Sequence, residues 1–445
     1  MKPLIVTYYF PPAGGSGVQR TLKFVKYLPE FGCQPVVLTV RDADYPSFDE
    51  TLLSEVPPDI RVYRSKIIEP YSIYRKLTGK KMGEALDVSL LTLGKRKQRL
   101  SEQISEWVRD AFFVPDARIA WLPFALNLGK KIVRKEGIDL IYTTAPPYTT
   151  LLIGLFLKRA TGLPWVVDFR DSWIGWLTAP QWRPRLSRRL EFWMERMVLR
   201  EANRILVVSS GVKADLLSRH PELNDDRWVW LPNGYDDEDF KDVPIPPRDA
   251  RLTITYTGSL YGPRNPHFLL LALKELLAEK PDLRRKLKFK FVGRIAEPIL
   301  KELQQPEFES LFEILPYLKH RESVGHLLAS DVSLLIIDDA PVNTGILTGK
   351  LFEYIGARKP VLALAPEGDA AELIRKFKLG IVVHPKDVPE IRKTLLHLVD
   401  KWESKRLKFE ANESDVENFN RKNLTQELST IFKTVGRFAE SEQIT

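Results

Sequence analysis

Residues 348–353, Thr-Gly-Lys-Leu-Phe-Glu, set a glycine, a lysine and a glutamate close together at the start of a helical run. A helix that begins at Gly349 has first-turn N–H groups without helical partners, and its dipole favours an anion such as a phosphate. Glu353 lies about one turn further along, within reach of another polar group of the same ligand, such as a ribose hydroxyl. The plain alternative is a helix, turn and strand of a parallel sheet that binds no ligand.

A glycine-rich loop separates the first apolar strand of the chain from a helical run. Gly14, Gly15 and Gly17, with Ser16 between them, would let a phosphate or a sugar hydroxyl lie against main-chain N–H groups. The dinucleotide fingerprint is incomplete, because its third glycine is missing and residues 39–41, Thr-Val-Arg, stand where its acid would be. Bound NAD is therefore disfavoured. The alternative interpretation is a flexible connection between strand and helix.

Two carboxylates and an arginine follow the apolar strand at 165–167. Asp168, Arg170 and Asp171 are thereby placed at the end of a parallel strand, where ligands of such sheets bind. One interpretation is a structural cluster in which the three side chains hold each other charged. The other is a functional site, which requires only that one carboxylate be free to react.

Length and composition predict an ordinary soluble enzyme. The 445 residues fit two or three domains, and 44% hydrophobic with 28% charged residues gives ample core and no sign of disorder. The single Cys33 excludes an intrachain disulfide and a thiolate cluster for zinc, which favours a reducing cytoplasm. The first residues lack a signal-peptide pattern, and no apolar run reaches the length of a membrane span.

Short apolar runs alternate with helical stretches along the whole chain, which predicts βαβ units and parallel sheets. The proline-rich stretch 241–250 lacks periodicity and predicts a linker between two Rossmann-like halves. Residues 72–112 are predicted to be a mobile insertion. The runs that indicate strands are 4–8, 35–40, 140–143, 165–168, 204–208, 252–256, 288–292, 332–336 and 361–363.

Several of these segments together resemble the retaining glycosyltransferases of family 4, which have the GT-B fold. The resemblance is carried by the segment 348–363, the glycine loop, and the paired stretches 204–213 and 230–240, and it extends to a final helix near 418–425. It implies an α/β architecture of two Rossmann-like domains whose parallel sheets face an interdomain cleft. The implied parts are an acceptor-binding domain at 1–243, a nucleotide-sugar domain at 251–415, and a helix in 416–445 that crosses back to the first domain.

The resemblance also assigns roles to residues of the donor site. Glu353 is expected to hold the ribose, and the Gly349 turn is expected to face the diphosphate. Arg264 takes the position of a phosphate-binding lysine, while Lys350 or Arg294 could supply the missing second cation. The expected donor-binding residues are Gly14, Gly15, Ser16, Gly17, Gly258, Ser259, Arg264, Gly293, Arg294, Thr344, Gly345, Thr348, Gly349, Lys350, Leu351 and Glu353.

Three positions depart from the family pattern. Ser259 stands where many members have an arginine, and Gly345 stands where they have an acid that contacts the donor sugar. Asn343, Thr344 and the Gly345 backbone must then read the sugar. Arg170 stands near the place of a histidine found in some members, which leaves Asp171 or Asp168 to orient the acceptor and Arg170 to face phosphate or a charged acceptor. The expected catalytic residues are Asp168, Arg170, Asp171, Arg264 and Lys350.

The activity implied by the resemblance is hexosyl transfer from a nucleotide-diphosphate sugar to a saccharide or lipid-linked acceptor, with retention at the anomeric carbon. The resemblance further implies a role in the synthesis of cell-surface polysaccharide or glycoconjugate. No cofactor and no metal are expected, because the single cysteine and the six scattered histidines form no cluster of metal ligands in the sequence. A sugar-nucleotide epimerase of the same fold and a non-catalytic sugar-nucleotide-binding protein are the alternatives.

A basic, amphipathic stretch bears on the cellular location. Residues 188–200 set Leu190, Trp193, Met194, Met197 and Val198 on one stripe among arginines. The stripe either packs on the N-terminal core or contacts an anionic membrane, to which the net charge of +9 would also draw the chain. Nucleic acid is disfavoured because no aromatic-basic repeat accompanies the charge. We expect a cytoplasmic protein, with peripheral attachment to the inner face of the membrane left open.

Overall fold

The computed structural model describes residues 1–41, 43, 45, 47–68, 114–174, 184–340 and 343–442, with side chains for all of these except Ser16 and residues 437–442. The chain forms two compact units. Unit 1 consists of Met1–Pro232 together with Arg421–Thr445, and unit 2 consists of Asn233–Asn420. The insertion expected at 72–112 lies outside the described residues.

Unit 1 is built on a seven-stranded parallel sheet flanked by helices. Its strands are β1 (Pro3–Val6), β2 (Val36–Val40), β3 (Arg61–Ser65), β4 (Leu140–Ala145), β5 (Trp165–Phe169), β6 (Arg204–Val207) and β7 (Trp228–Trp230). Its helices are α1 (Ser16–Tyr27), α2 (Leu122–Glu136), α3 (Thr149–Thr161), α4 (Arg185–Glu201), α5 (Ser210–Arg219) and the last helix of the chain, α13 (Arg421–Glu442). The strand order is β3-β2-β1-β4-β5-β6-β7, so the order reverses between β1 and β4.

Unit 2 repeats the arrangement with six parallel strands. These are β8 (Leu252–Thr257), β9 (Leu287–Val292), β10 (Phe312–Leu315), β11 (Val332–Ile336), β12 (Val361–Leu364) and β13 (Gly380–Val383). Its helices are α6 (His267–Glu279), α7 (Glu297–Leu303), α8 (His320–Leu328), α9 (Gly349–Gly356), α10 (Asp369–Lys376), α11 (Val388–Glu403) and α12 (Glu413–Glu417). The order β10-β9-β8-β11-β12-β13 reverses between β8 and β11.

The expectation of an α/β fold with two Rossmann-like parallel sheets is confirmed. Each of the nine apolar runs forms a strand, and the central strands are buried along their length, as helices on both faces of a parallel sheet require. The runs did not indicate β3, β7, β10 and β13. These are the four edge strands of the two sheets, and their side chains are partly exposed.

Helix α13 completes the core of unit 1. Leu424, Leu428, Phe432 and Val435 follow the helical repeat and are buried against side chains from the sheet, including Tyr142. The rings of Tyr142 and Phe432 meet edge to face at 5.6 Å. Helix α13 is therefore part of the same core as strand β1. None of the helices in the described ranges is both long and apolar enough to span a membrane.

Candidate active site

The reversal of strand order in unit 2 places two loops side by side at the carboxyl ends of β8 and β11. Loops that diverge from neighbouring strands in this way form a crevice, and such crevices bind the ligands of open α/β sheets. The loop after β8 carries Gly258, Ser259 and Arg264, and the loop after β11 leads into α9 with Lys350 and Glu353. The topology thus brings together two segments that lie some ninety residues apart.

Lys350, the second residue of α9, extends its ammonium group to the end of β8. Its Nζ donates a hydrogen bond to Tyr256 Oη at 2.6 Å and lies 4.1 Å from the centre of the Tyr256 ring. The Tyr256 hydroxyl in turn donates to the carbonyl oxygen of Ser259 at 2.9 Å. A Cβ atom at position 258 would lie 2.3 Å from Lys350 Cε, so a side chain there would displace the lysine.

Arg264 supplies a second cation to this part of unit 2. A tight turn fixes its backbone, because the N–H and carbonyl groups of Arg264 and Tyr261 bond to each other at 3.1 and 3.2 Å. Its guanidinium lies 5.5 Å from the centre of the Tyr261 ring, and its buried Nε has no hydrogen-bond partner. A buried N–H group without a partner is uncommon and is what an anionic ligand would satisfy.

The two basic side chains of this site are not neutralised by acidic side chains. Desolvation first, and then the Arg264 guanidinium, lower the pKa of Lys350 to about 7, although Glu353 opposes the shift. In the described ranges neither Lys350 nor Arg264 forms an ion pair with an acidic side chain. A lysine perturbed in this way, in a crevice at strand ends, is typical of a functional site that binds an anion.

Two glycines let the neighbouring strand ends approach each other. Gly293, directly after β9, has φ +142°, and a Cβ atom there would lie 2.2 Å from the carbonyl oxygen of Gly258. Gly258 itself has φ +114°. Both positions therefore require glycine on conformation as well as on space. The residue after Gly293, Arg294, places its guanidinium 5.3 Å from the centre of the half-exposed Tyr317 ring.

The start of α9 is open on the side expected to face the ligand. The helix has no side-chain cap, and a Cβ atom at Gly349 would meet open space. Buried polar atoms without partners cluster in the preceding loop, namely Asp338 Oδ2, Asn343 Oδ1 and Thr348 Oγ1. Thr344 is exposed and Gly345 is buried. The loop therefore keeps unused hydrogen-bonding capacity next to a helix start that favours anions.

The structure corrects the expectation for Leu351. Its side chain is fully buried in the core, and its N–H group donates to the Thr348 carbonyl at 3.2 Å. Neither part of the residue is left to hold a donor. Leu351 instead anchors the first turn of α9 to the sheet.

Glu353 has a partner that the sequence did not reveal. His320, the first residue of α8, places its Nε2 3.2 Å from Glu353 Oε1, and both side chains remain partly exposed. Tyr317 lies on the same segment, between β10 and α8. Tyr256, His320 and Tyr317 were all missed, and the last two follow the edge strand β10, which has no continuous apolar run.

In unit 1 the reversal of strand order sets the glycine loop beside the loop after β4. The Gly14 N–H donates to the Ser47 carbonyl at 2.9 Å, so it is already used within the fold. Gly15 has φ +87° and precedes α1, whose first residues are Ser16 and Gly17. First-turn N–H groups of a helix have no carbonyl partners within it, which leaves Ser16 and Gly17 as the better candidates for an anion.

Arg170 ties these loops together. Its Nη1 donates to the Gly17 carbonyl at 2.6 Å, its Nη2 to the Pro146 carbonyl at 2.7 Å, and its Nε to the Ala145 carbonyl at 3.2 Å. Three of its five N–H directions are thereby committed to the protein. The expectation that Arg170 faces phosphate or a charged acceptor does not fit this geometry well. The side chain fixes the position of the glycine loop.

The structure also separates the two carboxylates of β5 and its loop. Asp168 is fully buried and accepts from Arg20 Nε and Nη2, both at 2.9 Å, from Tyr142 Oη at 2.7 Å and from Thr144 Oγ1 at 2.9 Å. Burial alone would raise the pKa of Asp168, but Arg20 and the Tyr142 hydroxyl hold it below its ordinary value. Asp168 therefore cannot orient an acceptor hydroxyl, because solvent does not reach it and its oxygens are fully bonded.

Asp171 is the carboxylate that remains available to a ligand. It is partly exposed, and no hydrogen bond to its carboxyl group occurs within the described ranges. Burial raises the pKa of Asp171 above its ordinary value, and Arg170 partly counters this. The loop around it is held by neighbours, since Trp173 stacks on Tyr148 at 5.0 Å and Ser172 Oγ accepts from Arg219 at 3.1 Å. Asp171 is thus an available carboxylate on a fixed loop.

Comparison with known protein families identifies the class to which this arrangement belongs. The model for Glycosyltransferase Family 4 matches residues 77–239, and the model for Glycosyl transferases group 1 matches residues 251–401. Together the two matches cover more than half of the chain. The chain belongs to glycosyltransferase family 4. This glycosyltransferase has no match among curated protein sequences.

Solved structures agree on the fold. This glycosyltransferase is similar to a sucrose-phosphate synthase from Thermosynechococcus elongatus, with 14% identity, 97% of this chain and 98% of that chain covered, and a TM-score of 0.64. It is similar to Anabaena HepE, solved with UDP-glucose, with 14% identity, 98% and 100% covered, and a TM-score of 0.59. It is also similar to WaaG, a glycosyltransferase of lipopolysaccharide biosynthesis, with 14% identity, 97% and 99% covered, and a TM-score of 0.56.

Proposed function

We propose that this glycosyltransferase moves a hexosyl group from a nucleotide-diphosphate sugar to a saccharide or lipid-linked acceptor, with retention at the anomeric carbon. The observation that carries the proposal is the pair Lys350 and Arg264 in unit 2, two cations without an acidic partner in the described ranges at the reversal of strand order. A diphosphate brings the negative charge that these groups lack. HepE, which has the same fold, was solved with UDP-glucose.

In this proposal the residues of unit 2 stabilise the leaving diphosphate. The bond between the anomeric carbon and the phosphate oxygen breaks while the acceptor oxygen bonds to the same face of that carbon. The proton of the acceptor hydroxyl passes to an oxygen of the leaving diphosphate, so no covalent nucleophile and no separate base are required. Lys350, Arg264 and the N–H groups of Gly349 and Lys350 at the start of α9 hold the charge that grows on the diphosphate.

The remaining roles follow from which groups are still available. We propose that Glu353 binds the ribose, with His320 beside it. Asn343 and the backbone of Thr344 and Gly345 read the donor sugar, since Asn343 Oδ1 is buried without a partner. Asp171 in unit 1 orients the acceptor hydroxyl. Asp168 and Arg170 are positioning residues in this scheme.

We further propose that the reaction needs no metal and takes place in the cytoplasm, in the synthesis of cell-surface polysaccharide or glycoconjugate. WaaG, of the same fold, acts in lipopolysaccharide biosynthesis. A lipid-linked acceptor would require attachment at the inner face of the membrane, and a soluble saccharide would not. The two acceptor classes can be separated by comparing turnover with and without vesicles.

The proposal is tested first by binding and then by transfer. A panel of nucleotide diphosphates and nucleotide sugars, UDP-glucose among them, is screened for a rise in Tm. The best donor is then incubated with candidate acceptors in EDTA, and the anomeric configuration of the product is determined by proton NMR. An inverted anomer would refute retention, and activity that is lost in EDTA and restored by magnesium or manganese would refute the metal-free scheme. Isomerised donor without transfer would instead indicate an epimerase.

Replacing Glu353 by alanine is expected to weaken nucleotide-sugar binding by about 1.5–3 kcal/mol, the range of a hydrogen bond to a charged group. Isothermal titration with the donor found in the screen measures the change. Glu322→Ala is the control, because this exposed acid lies on α8 only two residues from His320. Equal affinity of the Glu353 variant and the wild type, with both proteins folded, would rule out the ribose assignment.

Nucleotide-sugar affinity is expected to fall as the pH rises above about 7. Lys350 has a pKa of about 7 in the free protein, so it is largely protonated below that pH and largely neutral above it. A bound diphosphate favours the ammonium form and raises the pKa of Lys350, so binding above pH 7 must take up a proton. One proton corresponds to a loss of up to about tenfold in affinity per pH unit.

The measurement is the donor dissociation constant between pH 6 and 9. A nucleotide sugar has no terminal phosphate, whose own ionisation near pH 6 would otherwise interfere. The Lys350→Met variant serves as the comparison and should bind with a flatter pH dependence. A wild-type affinity that stays constant across this range would show that Lys350 does not change its proton occupancy on binding.

A further inference from the structure

Helix α4 of unit 1 buries polar side chains and exposes apolar ones. Ser187, Glu191 and Glu195 are buried, at 5%, 4% and 0% exposure, although two of them are acids. Most surface helices of soluble proteins bury an apolar stripe and expose the charged one. Here part of the apolar side faces outward. Both the buried acids and the exposed apolar side chains therefore require an explanation.

The outward apolar stripe is formed by Leu186, Leu190 and Trp193, which are spaced four and three residues apart and thus share one side of the helix. Their exposures are 78%, 39% and 54%, and Phe192 beside them is 41% exposed. The sequence expectation was therefore half right. Met194 and Met197 do pack on the core and Val198 is buried in it, but Leu190 and Trp193 remain outside.

Arginines surround this stripe. Arg185, Arg188, Arg189, Arg196 and Arg200 are all exposed. Among the described residues, Arg185, Arg188 and Arg189 form no ion pair, while Arg196 bonds to Glu222 at 3.0 Å. An apolar stripe beside uncompensated arginines fits an anionic lipid surface, where the apolar side chains enter the headgroup boundary and the arginines meet phosphates. An apolar protein partner would not explain the cations.

The buried polar face of α4 connects the helix to the loop of Asp171. Glu195 accepts from Arg219 Nε at 2.8 Å and Nη2 at 3.1 Å, and Arg219 Nη2 also donates to Ser172 Oγ at 3.1 Å. His220 lies between the two faces, with its Nε2 3.0 Å from Glu195 Oε1 and its ring 4.5 Å from that of Phe192. The outward surface is thereby joined to the residue that follows Asp171.

We propose that Leu186, Leu190, Phe192 and Trp193, with the exposed arginines of α4, form a docking surface for an anionic membrane. The Glu195–Arg219–Ser172 contacts hold the Asp171 loop at a fixed position relative to that surface. Asp171 would then meet a lipid-linked acceptor at a fixed distance from the membrane surface. This step about the acceptor rests on the proposed function, whereas membrane docking itself depends only on the exposure and charge of α4.

The test is flotation of the full chain with phosphatidylcholine vesicles that contain or lack phosphatidylglycerol, without donor or acceptor. The wild type is expected to bind the anionic vesicles and to be released by salt. Arg188→Gln/Arg189→Gln should weaken binding by on the order of tenfold to thirtyfold. Leu190→Ser/Trp193→Ser should weaken it by at least about tenfold. Failure of glycosyl transfer would leave these results unchanged, so the two proposals can fail separately.

Two matched controls lie in unit 2. Leu271→Ser/Ile245→Ser removes apolar side chains that are 38% and 56% exposed, close to those of Leu190 and Trp193. Lys301→Gln/Lys393→Gln removes two exposed cations, whose side chains are 73% and 76% exposed. Both controls should bind vesicles like the wild type.

Three results would overturn the proposal. They are absence of wild-type binding, equal binding to neutral vesicles, and unchanged binding by the α4 variants. Sedimentation that instead showed a dimer lost in Leu190→Ser/Trp193→Ser would assign the surface to a second copy of the chain.

Discussion

Replacing Lys350 by methionine is expected to lower kcat for glycosyl transfer by about 10²–10³, the range found when one donor is removed from an oxyanion hole. Methionine still fills the space beside Gly258 as far as Cε, and it removes the ammonium group with its hydrogen bond to Tyr256. Negative charge on the leaving diphosphate grows mainly in the transition state, so kcat should fall more than KM rises. Steady-state kinetics with the donor found by binding measures both quantities.

Lys301→Met is the matched control for this variant, because it removes an exposed cation from another helix of unit 2 and should leave kcat unchanged. Arg264→Ala provides the second comparison and should also lower kcat, since Arg264 lies near enough to depress the pKa of Lys350. A Lys350→Met enzyme with the wild-type kcat would refute the proposed role in leaving-group stabilisation. A change confined to KM would show that the lysine binds ground state and transition state equally.

The buried strands of the fold could be predicted from the sequence, and the sheet edges could not. Interior strands of a parallel sheet are covered on both faces, so each is rich in apolar and β-branched residues, as in Val332–Ile336. An edge strand is covered less completely and carries charged residues. The strand Arg61–Ser65, for example, exposes its arginine at one end and has a second arginine within it. Apolar periodicity therefore gives no clear signal where the sheet meets solvent.

The weak apolar signal of edge strands also explains why some site residues could not be predicted. Lys350, Arg264 and Glu353 could be named because they follow buried strands or a glycine turn at a recognisable spacing. His320 and Tyr317 follow the edge strand β10, so no sequence signal placed them at the strand ends of unit 2. Tyr256 lies inside a strand and is 1% exposed, and no sequence pattern connects it with Lys350. Contacts across the sheet are not encoded in local spacing.

The sequence could not distinguish Asp168 from Asp171 either, because both stand at the end of one strand. Their difference arises from residues far along the chain. Arg20 comes from α1 and Tyr142 from β4, and together they surround Asp168 with donors, whereas Asp171 lies in the loop after β5. The alternative of a structural charge cluster was thus correct for Asp168, with Arg20 rather than Arg170 as its cation.

Replacing Asp168 by asparagine is expected to lower the free energy of unfolding of unit 1 by about 3–5 kcal/mol, because removing one member of a buried ion pair leaves an uncompensated buried charge. The charge is that of Arg20, which is 1% exposed and is left with uncharged acceptors, namely the amide oxygen of the asparagine and the Leu231 and Pro232 carbonyls at 2.9 and 2.6 Å. The measurement is urea denaturation at pH 7, with hydrogen exchange of the β4 and β5 amides to assign the transition to unit 1.

The comparison that tests this explanation is Glu222→Gln, which removes the acid of an ion pair with Arg196 in which both side chains are 46% exposed. Water screens an exposed pair and leaves it little effect on stability, so this variant should unfold nearly like the wild type. The pKa of Asp168 lies below its ordinary value, so its stabilising effect should be fully present at neutral pH and should be lost as the pH falls through that lowered pKa. Equal losses in the two variants, or an Asp168→Asn protein as stable as the wild type at pH 7, would show that the buried pair with Arg20 does not hold unit 1 together. In that case the position of the glycine loop would depend on its other contacts, those of Arg170 Nη1 with the Gly17 carbonyl and of the Gly14 N–H with the Ser47 carbonyl.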